Sequence, residues 1–378
     1  MAPGSDRPIR VGFDDQIFEA QMRGGVSKAF VELIGRLPDH GVEPVVLSRR
    51  TRNVHLAESG MVPRAPRMSP ALERITWATW RLFGRPRSAP HPLPALDILH
   101  HTFTQAAYLR DWRGPRVVTV HDMTPELFPE YFVLGNPHLA KRRYAEAADA
   151  VMCDSRSTAV DMLRLYDVPG LRDRTSVIPL GVGEQFFGPG TTVAELPPRY
   201  LLFVGVRSGY KDFAVAFEAW SALAENDDGL HFVVVGGGPF SDAEKRRFER
   251  SPLSSRLHHL VPRDDEIVEV YRRAETLVFP SRYEGFGLPT LEALAAGTPV
   301  VVADASCSRE VGGSAALYFA PGDLSDLIAR LLEAMSPDFA GSIRRRGPIH
   351  ASEFSWDHTA ALAAEVYRDV AARNGRVR

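Results

Sequence analysis

The chain has 378 residues, 44% apolar and 24% charged, with a formal net charge of −2; this composition is globular and excludes disordered, collagen-like and coiled-coil chains. Near-neutral charge argues against a nucleic-acid partner, and two cysteines, Cys153 and Cys307, are too few for a disulfide scaffold and point to a reducing compartment. No apolar run approaches the ~18 residues of a membrane span, the first residues lack the apolar core of a secretory signal, and the length suggests two domains of roughly 150 residues each, so a two-domain cytoplasmic protein is expected.

In chain order, short runs rich in Val, Ile and Leu come first: Ile9–Phe13, Val45–Leu47, Ile98–His100, Val117–His121, Val151–Cys153 and Val177–Pro179. Their apolarity is continuous rather than alternating, the mark of strands buried on both faces of a parallel sheet. Ser27–Leu37 reads as a helix with Phe30, Leu33 and Ile34 on one stripe. Ser155 can cap a helix that runs to about Leu165. Between these elements, Arg49 to Arg87 carries nine arginines against Glu58 and Glu73, interleaved with Leu72, Ile75, Trp77, Trp80, Leu82 and Phe83. Such a segment suits peripheral contact with an anionic membrane or an anionic acceptor; the plainer alternative is an Arg-rich loop and a surface helix packed on the core.

Loop signals at Phe186–Gly190 and Leu196–Pro198 interrupt the rhythm, and it then restarts. The second set of runs is Tyr200–Val204, His231–Val235, Leu257–Val261, Thr276–Phe279, Pro299–Ala303 and Ala316–Phe319. Helical patterns lie between them at Phe213–Leu223, Ala243–Arg250, Glu266–Arg273, Thr290–Ala296 and Leu324–Met335. Strand–helix alternation repeated twice predicts two doubly wound α/β domains, with ligands between them at the C-terminal strand ends. The predicted spans are 1–185 and 186–358, followed by a helix over 359–378 that is expected to pack back on the first domain.

The sharpest chemical feature runs from Ser281 to Val301 and contains Glu284-Gly285-Phe286-Gly287-Leu288-Pro289 and, later, Glu292. It follows a strand and opens a helix near Pro289, a residue favoured at helix starts. Gly285 and Gly287 allow close approach of the backbone to a ligand. The helix N-terminus suits a phosphate or diphosphate. A carboxylate is repelled by a diphosphate but accepts hydrogen bonds from sugar hydroxyls. Two of them flanking a phosphate loop therefore suggest a nucleotide sugar, with one carboxylate for the sugar and one for the ribose.

These residues resemble the signature of the retaining family 4 glycosyltransferases, which have the GT-B fold of two Rossmann-like domains facing each other across a cleft. Their Glu, seven residues, Glu pattern within a Glu-Gly-Phe-Gly-Leu-Pro-x-Leu-Glu-Ala run is intact from Glu284 to Ala293. Gln21–Ser27 resembles the family's Gly-Gly loop, and Val118–Met123 with Pro125–Phe128 resembles a subset that often transfers mannose or rhamnose. Val177–Val182 is similar to the interdomain Ile-Pro-Asn-Gly-Val segment, with Leu180 at the asparagine position. Tyr318-Phe319 and Phe354-Ser355-Trp356 also fit the family.

The resemblance implies a nucleotide-sugar hexosyltransferase of the kind used in bacterial polysaccharide biosynthesis. GDP-mannose is the first donor expected and dTDP-rhamnose the second; the acceptor is a glycan, a lipid-linked glycan or a small molecule. Catalytic roles fall on Glu284, His121, Lys211 and Arg207, with the two cations neutralising the diphosphate. Gly205, Gly285, Phe286, Gly287, Leu288, Glu292, Gly237 and Arg263 are expected at the donor. Gly24 and Gly25 are expected at the leaving phosphate or acceptor. The cations after Gly205 also stand at a predicted helix start, where the positive dipole disfavours them unless an anion binds. His121 ends a predicted strand and faces the cleft, and His100 and His101 end another and can line the same cleft. No Asp-x-Asp occurs, so neither a metal nor another cofactor is expected. A nucleotide-sugar 2-epimerase of the same fold, or a non-catalytic sugar-binding protein, is the alternative.

Overall fold

A computed structural model describes residues 7–66, 94–105, 112–132, 140–193, 196–207 and 209–375. Its first six strands are β1 (Ile9–Phe13), β2 (Val42–Val46), β3 (Ile98–His101), β4 (Arg116–Val120), β5 (Ala150–Cys153) and β6 (Thr175–Val177). The second six are β7 (Tyr200–Val204), β8 (His231–Val235), β9 (Leu257–Leu260), β10 (Thr276–Phe279), β11 (Val300–Ala303) and β12 (Leu317–Phe319). They build two six-stranded sheets in the orders β2-β1-β3-β4-β5-β6 and β12-β11-β10-β7-β8-β9. All pairs are parallel. Each predicted run overlaps one observed strand, and β3, β5, β10 and β11 are buried throughout, as continuous apolarity requires.

The strand order fixes where a ligand can enter. In the first sheet the chain runs from β1 to β2, then returns to the other side of β1 as β3. In the second it runs from β7 to β8 and β9, then returns to the other side of β7 as β10. The loops leaving β1 and β3, and those leaving β7 and β10, therefore part in opposite directions and open a crevice at the C-terminal strand ends.

Helices cover both sheets. Gly25–Arg36 begins earlier than the predicted Ser27 and buries Phe30, Leu33 and Ile34. Arg156–Leu165 is capped by Ser155, whose side chain accepts from Thr158 N. Phe213–Ala224 lays Phe213 and Trp220 on Phe232 at centroid distances of 5.8 and 5.5 Å. Two helices differ from the sequence reading. Pro337–Ala351 lies outside the predicted helices; Gly347 and Pro348 interrupt its pattern. The last helix starts earlier, at Trp356, with Ser355 accepting from His358 N, and runs to Arg373. It buries Ala360, Ala363, Ala364, Tyr367 and Val370 in one core with Val11, Phe13 and Phe30 of the first sheet. Its close seat depends on Gly181, where a Cβ would lie 2.2 Å from Trp356 N.

Of the arginine-rich stretch, residues 67–87 lie outside the described residues. Among the described residues no helix is long and apolar enough to cross a membrane.

Candidate active site

The crevice between β7 and β10 brings together two side chains 73 residues apart: Lys211 Nζ lies 2.5 Å from Glu284 Oε1. Both side chains are 16% exposed. Lys211 ends a short turn after β7, and Glu284 sits in the loop after β10. The two loops are stitched by Arg282, whose backbone N–H donates to Tyr210 O and whose Nε donates to Asp212 at 2.9 Å. Glu284 itself is anchored through its backbone. Its N–H donates to Ser306 Oγ, and its carbonyl accepts from the Cys307 thiol. Burial pushes the Cys307 thiol well up, so it stays a neutral donor. Asp212 and Ser306 are the two non-glycine residues with left-handed backbone among the described residues, at φ 47° and 45°. Both brace this pair, and strain of this kind gathers at working sites.

Past Glu284 the loop narrows onto a helix. Gly287 has φ 89° and leads into Leu288–Ala295, with Pro289 in its first turn. The first N–H groups of such a helix have no partner within it and suit an anion. Glu292 lies on this helix, half-buried, and its Oε2 accepts from Tyr271 OH at 2.7 Å. Phe286, expected at the donor, turns inward instead: it is 6% exposed and its ring packs 6.1 Å from Phe354.

Arg207 also departs from the expectation. Its side chain is 4% exposed and makes five hydrogen bonds within its own unit. Nε and Nη2 donate to Glu244, Nη1 to Gly236 O and Gly238 O, and Nη2 to Pro239 O. The guanidinium holds the Glu244 carboxyl down to about 2. Arg207 therefore braces the glycine loop after β8 rather than presenting a free cation. That loop needs its glycines: Gly236, Gly237 and Gly238 have φ 91°, 69° and 69°. Gly205, at φ 150°, touches the same loop, since a Cβ on Gly236 would lie 3.1 Å from Gly205 O. Arg263 follows β9, with β7 and β8 between it and the Glu284 strand. Its exposed guanidinium pairs with Asp265 and Glu266 of its own turn.

The first unit presents a cavity of about 400 Å³ at its rim, lined among others by Gln21, Val26, Gln105, His121, Asp122 and Lys141. Gly24 and Gly25 lead into the helix on its border; Gly24 packs on Gln21, with a Cβ position 2.2 Å from Gln21 Oε1. His121 Nδ1 lies 2.8 Å from Asp154 Oδ2. Lys141, 4% exposed, donates to Asp122 O and to Glu126 and so pins the loop after β4. His100 and His101 do not line the cavity. His100 is fully buried between Tyr367 OH and Thr119 Oγ1, and burial lowers it to about 3. His101 turns to Asp14, 2.7 Å away. Burial opposes ionisation of Asp14, yet His101, Thr102 and Gln16 hold it below the usual carboxylate range.

The two units touch at the Glu284 loop. A Cβ on Gly285 would lie 1.7 Å from the His121 carbonyl, so only glycine fits there. Gly285 O accepts from Thr158, and Tyr283 OH donates to Asp161 at 3.0 Å. Glu310 of the second unit accepts from the N–H groups of Arg156 and Ser157, both at 2.8 Å. Its charge thereby complements a helix N-terminus of the first unit. Asp154, Lys141, Tyr283 and Glu310 escaped the sequence reading. Asp154 alone had a visible signal, a carboxylate directly after a buried run.

The pattern described as "Glycosyltransferase Family 4" matches residues 23–186, and that described as "Glycosyl transferases group 1" matches residues 192–345. The protein is a glycosyltransferase of the GT-B fold. The family 4 part of this glycosyltransferase carries Gly24, Gly25 and His121, and the group 1 part carries Arg207, Lys211, Glu284 and Glu292. The glycosyltransferase is 27% identical over 320 residues to the O-antigen chain mannosyltransferase B of Escherichia coli, covering 76% of this chain and 83% of that protein. It is 29% identical to the D-inositol 3-phosphate glycosyltransferase of Corynebacterium glutamicum (strain R), covering 70% and 69%. Its fold matches that of a sucrose-phosphate synthase from Thermosynechococcus elongatus with a TM-score of 0.70 at 20% identity, over 97% of this chain and all of that one.

Proposed function

We propose that the glycosyltransferase moves a hexosyl or deoxyhexosyl group from a nucleotide-diphosphate sugar to a hydroxyl of a glycan, lipid-linked or small-molecule acceptor. The transfer retains the anomeric configuration and uses no metal ion or other cofactor. GDP-mannose is the preferred donor candidate, supported by likeness to an O-antigen mannosyltransferase; dTDP-rhamnose is the second. The observation that carries this reading is the Lys211–Glu284 pair at the strand-order switch between β7 and β10. A cation for a diphosphate and a carboxylate for sugar hydroxyls lie side by side there, next to a helix N-terminus opened by Gly287.

On donor binding Lys211 transfers its contact from Glu284 to the diphosphate, and Glu284 accepts from donor-sugar hydroxyls. Glu292 holds the ribose. The bond between the anomeric carbon and the diphosphate oxygen breaks, and the acceptor oxygen bonds to the same face. The acceptor proton passes to the leaving diphosphate. Positioned charge at the leaving group supplies the largest share of the rate. Closure of the two units on Gly285 and His121 excludes water. Arg207 contributes by shaping the loop at Gly237. The protein acts in the cytoplasm, and at the membrane face where its acceptor is lipid-linked.

Among the described residues, the group suited to a cation is His55, Glu58 and Asp264, with donor atoms within 4.8 Å of one another. His55 and Glu58 stand on the first unit's helix Val54–Glu58, and Asp264 follows β9 of the second. Saturation-transfer NMR across nucleotide sugars, followed by incubation with candidate acceptors in EDTA, tests the reading. Donor-dependent glycoside formation with retained configuration is expected. Conversion to the 2-epimer, or binding without turnover, overturns transfer; loss in EDTA with rescue by manganese overturns metal independence.

A further inference from the structure

β4 and β5 are parallel neighbours, with Val120 opposite Cys153. His121 and Asp154 follow as the next facing positions at the rim, 33 residues apart in the chain. Their side chains are 15% and 6% exposed, and His121 Nδ1 lies 2.8 Å from Asp154 Oδ2. Among the described residues His121 is the hydrogen-bond partner of the Asp154 carboxylate. A carboxylate accepts and does not donate, so Nδ1 carries a hydrogen. The other ring nitrogen, Nε2, is buried and has no hydrogen-bond partner among the described residues. Buried polar atoms are nearly always paired. This one belongs to a residue that borders the rim cavity and whose own carbonyl packs against Gly285, next to Glu284. Such a nitrogen is fitted to a hydroxyl brought by a ligand.

We propose that Asp154 is a positioning residue for sugar transfer: it holds the His121 ring with hydrogen on Nδ1, so that Nε2 accepts a hydrogen bond from a hydroxyl of the bound sugar. This rests on the functional reading above. Phe30 packs against the His121 ring in a T-shaped arrangement at 5.5 Å, and Lys141 pairs with Glu126 in the loop beside it. A carboxylate placed behind an imidazole in this way sets both its tautomer and its orientation.

The test uses the full chain labelled with ¹⁵N-histidine. In the wild type the His121 nitrogens should show hydrogen on Nδ1 alone. In Asp154→Asn the amide can donate as well as accept, so a mixture of tautomers is expected. Transfer should fall at least about tenfold in kcat with donor KM within about twofold, and calorimetry with nucleoside diphosphate should show intact binding and hence an intact fold. In a His121→Ala background, Asp154→Asn should cost nothing more. An unchanged tautomer in Asp154→Asn, an unchanged kcat despite mixed tautomers, or an equal loss without the imidazole overturns the proposal. If the wild type turns over no nucleotide sugar, the functional reading fails, and the nitrogen spectra alone then decide whether Asp154 sets the ring.

Discussion

Lys211 and Glu284 neutralise each other across the β7–β10 crevice, Nζ to Oε1 at 2.5 Å. Each is the other's ion-pair partner. In the proposed transfer the diphosphate replaces the carboxylate on Lys211, and sugar hydroxyls replace the ammonium on Glu284. The ion pair keeps two partly buried charges satisfied.

Glu284→Gln should keep nucleoside-diphosphate affinity and lose most transfer. A charged hydrogen bond contributes about 1.5–3 kcal/mol, which corresponds to roughly a ten- to hundredfold fall in turnover. Calorimetry and a transfer assay on the same preparation check it; turnover at the wild-type rate removes Glu284 from the sugar.

Lys211→Ala should weaken a nucleoside diphosphate about tenfold or more while leaving the nucleoside nearly unaffected. The variant loses the cation and also leaves Glu284 facing the diphosphate unpaired. Equal weakening of both ligands would take Lys211 off the phosphates.

Arg207→Ala should destabilise the fold by about 3 kcal/mol, because it strips the glycine loop and Glu244 of a buried charged partner. Arg207→Lys should not restore it, since one ammonium cannot reproduce the planar fork. Denaturant titration measures both variants. A wild-type midpoint combined with lost diphosphate affinity would return Arg207 to the ligand.

Gly285→Ala should hold the units apart, because the added methyl would lie 1.7 Å from the His121 carbonyl. Diphosphate affinity is expected to persist, since Lys211 is untouched, while transfer fails and the radius of gyration rises in solution scattering. Wild-type transfer in this variant would show that closure at this contact is not needed.

Acid should weaken the fold partly through His100. Its pKa falls from 6.5 to about 3 on folding because of burial. The unfolded chain therefore binds the extra proton between these values. The neutral ring's contribution is complete above about pH 6.5 and is lost as pH falls toward 3. Thermal melts of the wild type and His100→Gln between pH 7.5 and 5 check it: the variant, less stable at pH 7.5, should lose less on acidification. Parallel curves would exclude His100 as a source of the acid sensitivity.

The architecture and the Glu284–Glu292 loop were legible in the residues because both are local. Continuous apolarity marks the doubly buried strands such as β3, β5, β10 and β11, and each predicted run overlaps one of the twelve observed strands. Glycine at 287 and proline at 289 likewise mark a helix start without reference to the rest of the chain. The helix Pro337–Ala351 stayed hidden because its cue is tertiary: Gly347 lets its backbone approach the Leu294 carbonyl, where a Cβ would lie 2.8 Å away.

Which residue types stand at the ends of which strands is legible in the chain alone. The direction and partner of each come from the folded arrangement. His100 and His101 are adjacent, yet successive side chains of a strand face opposite sides, so one meets Tyr367 and the other Asp14. Arg207 and Lys211 leave the same strand, but Arg207 is enclosed by the loop after β8 while Lys211 reaches Glu284. Asp154 acquires His121 only because β4 and β5 lie side by side in register. Strand order and register bring together groups 33 to 73 residues apart, and neither is carried by local periodicity.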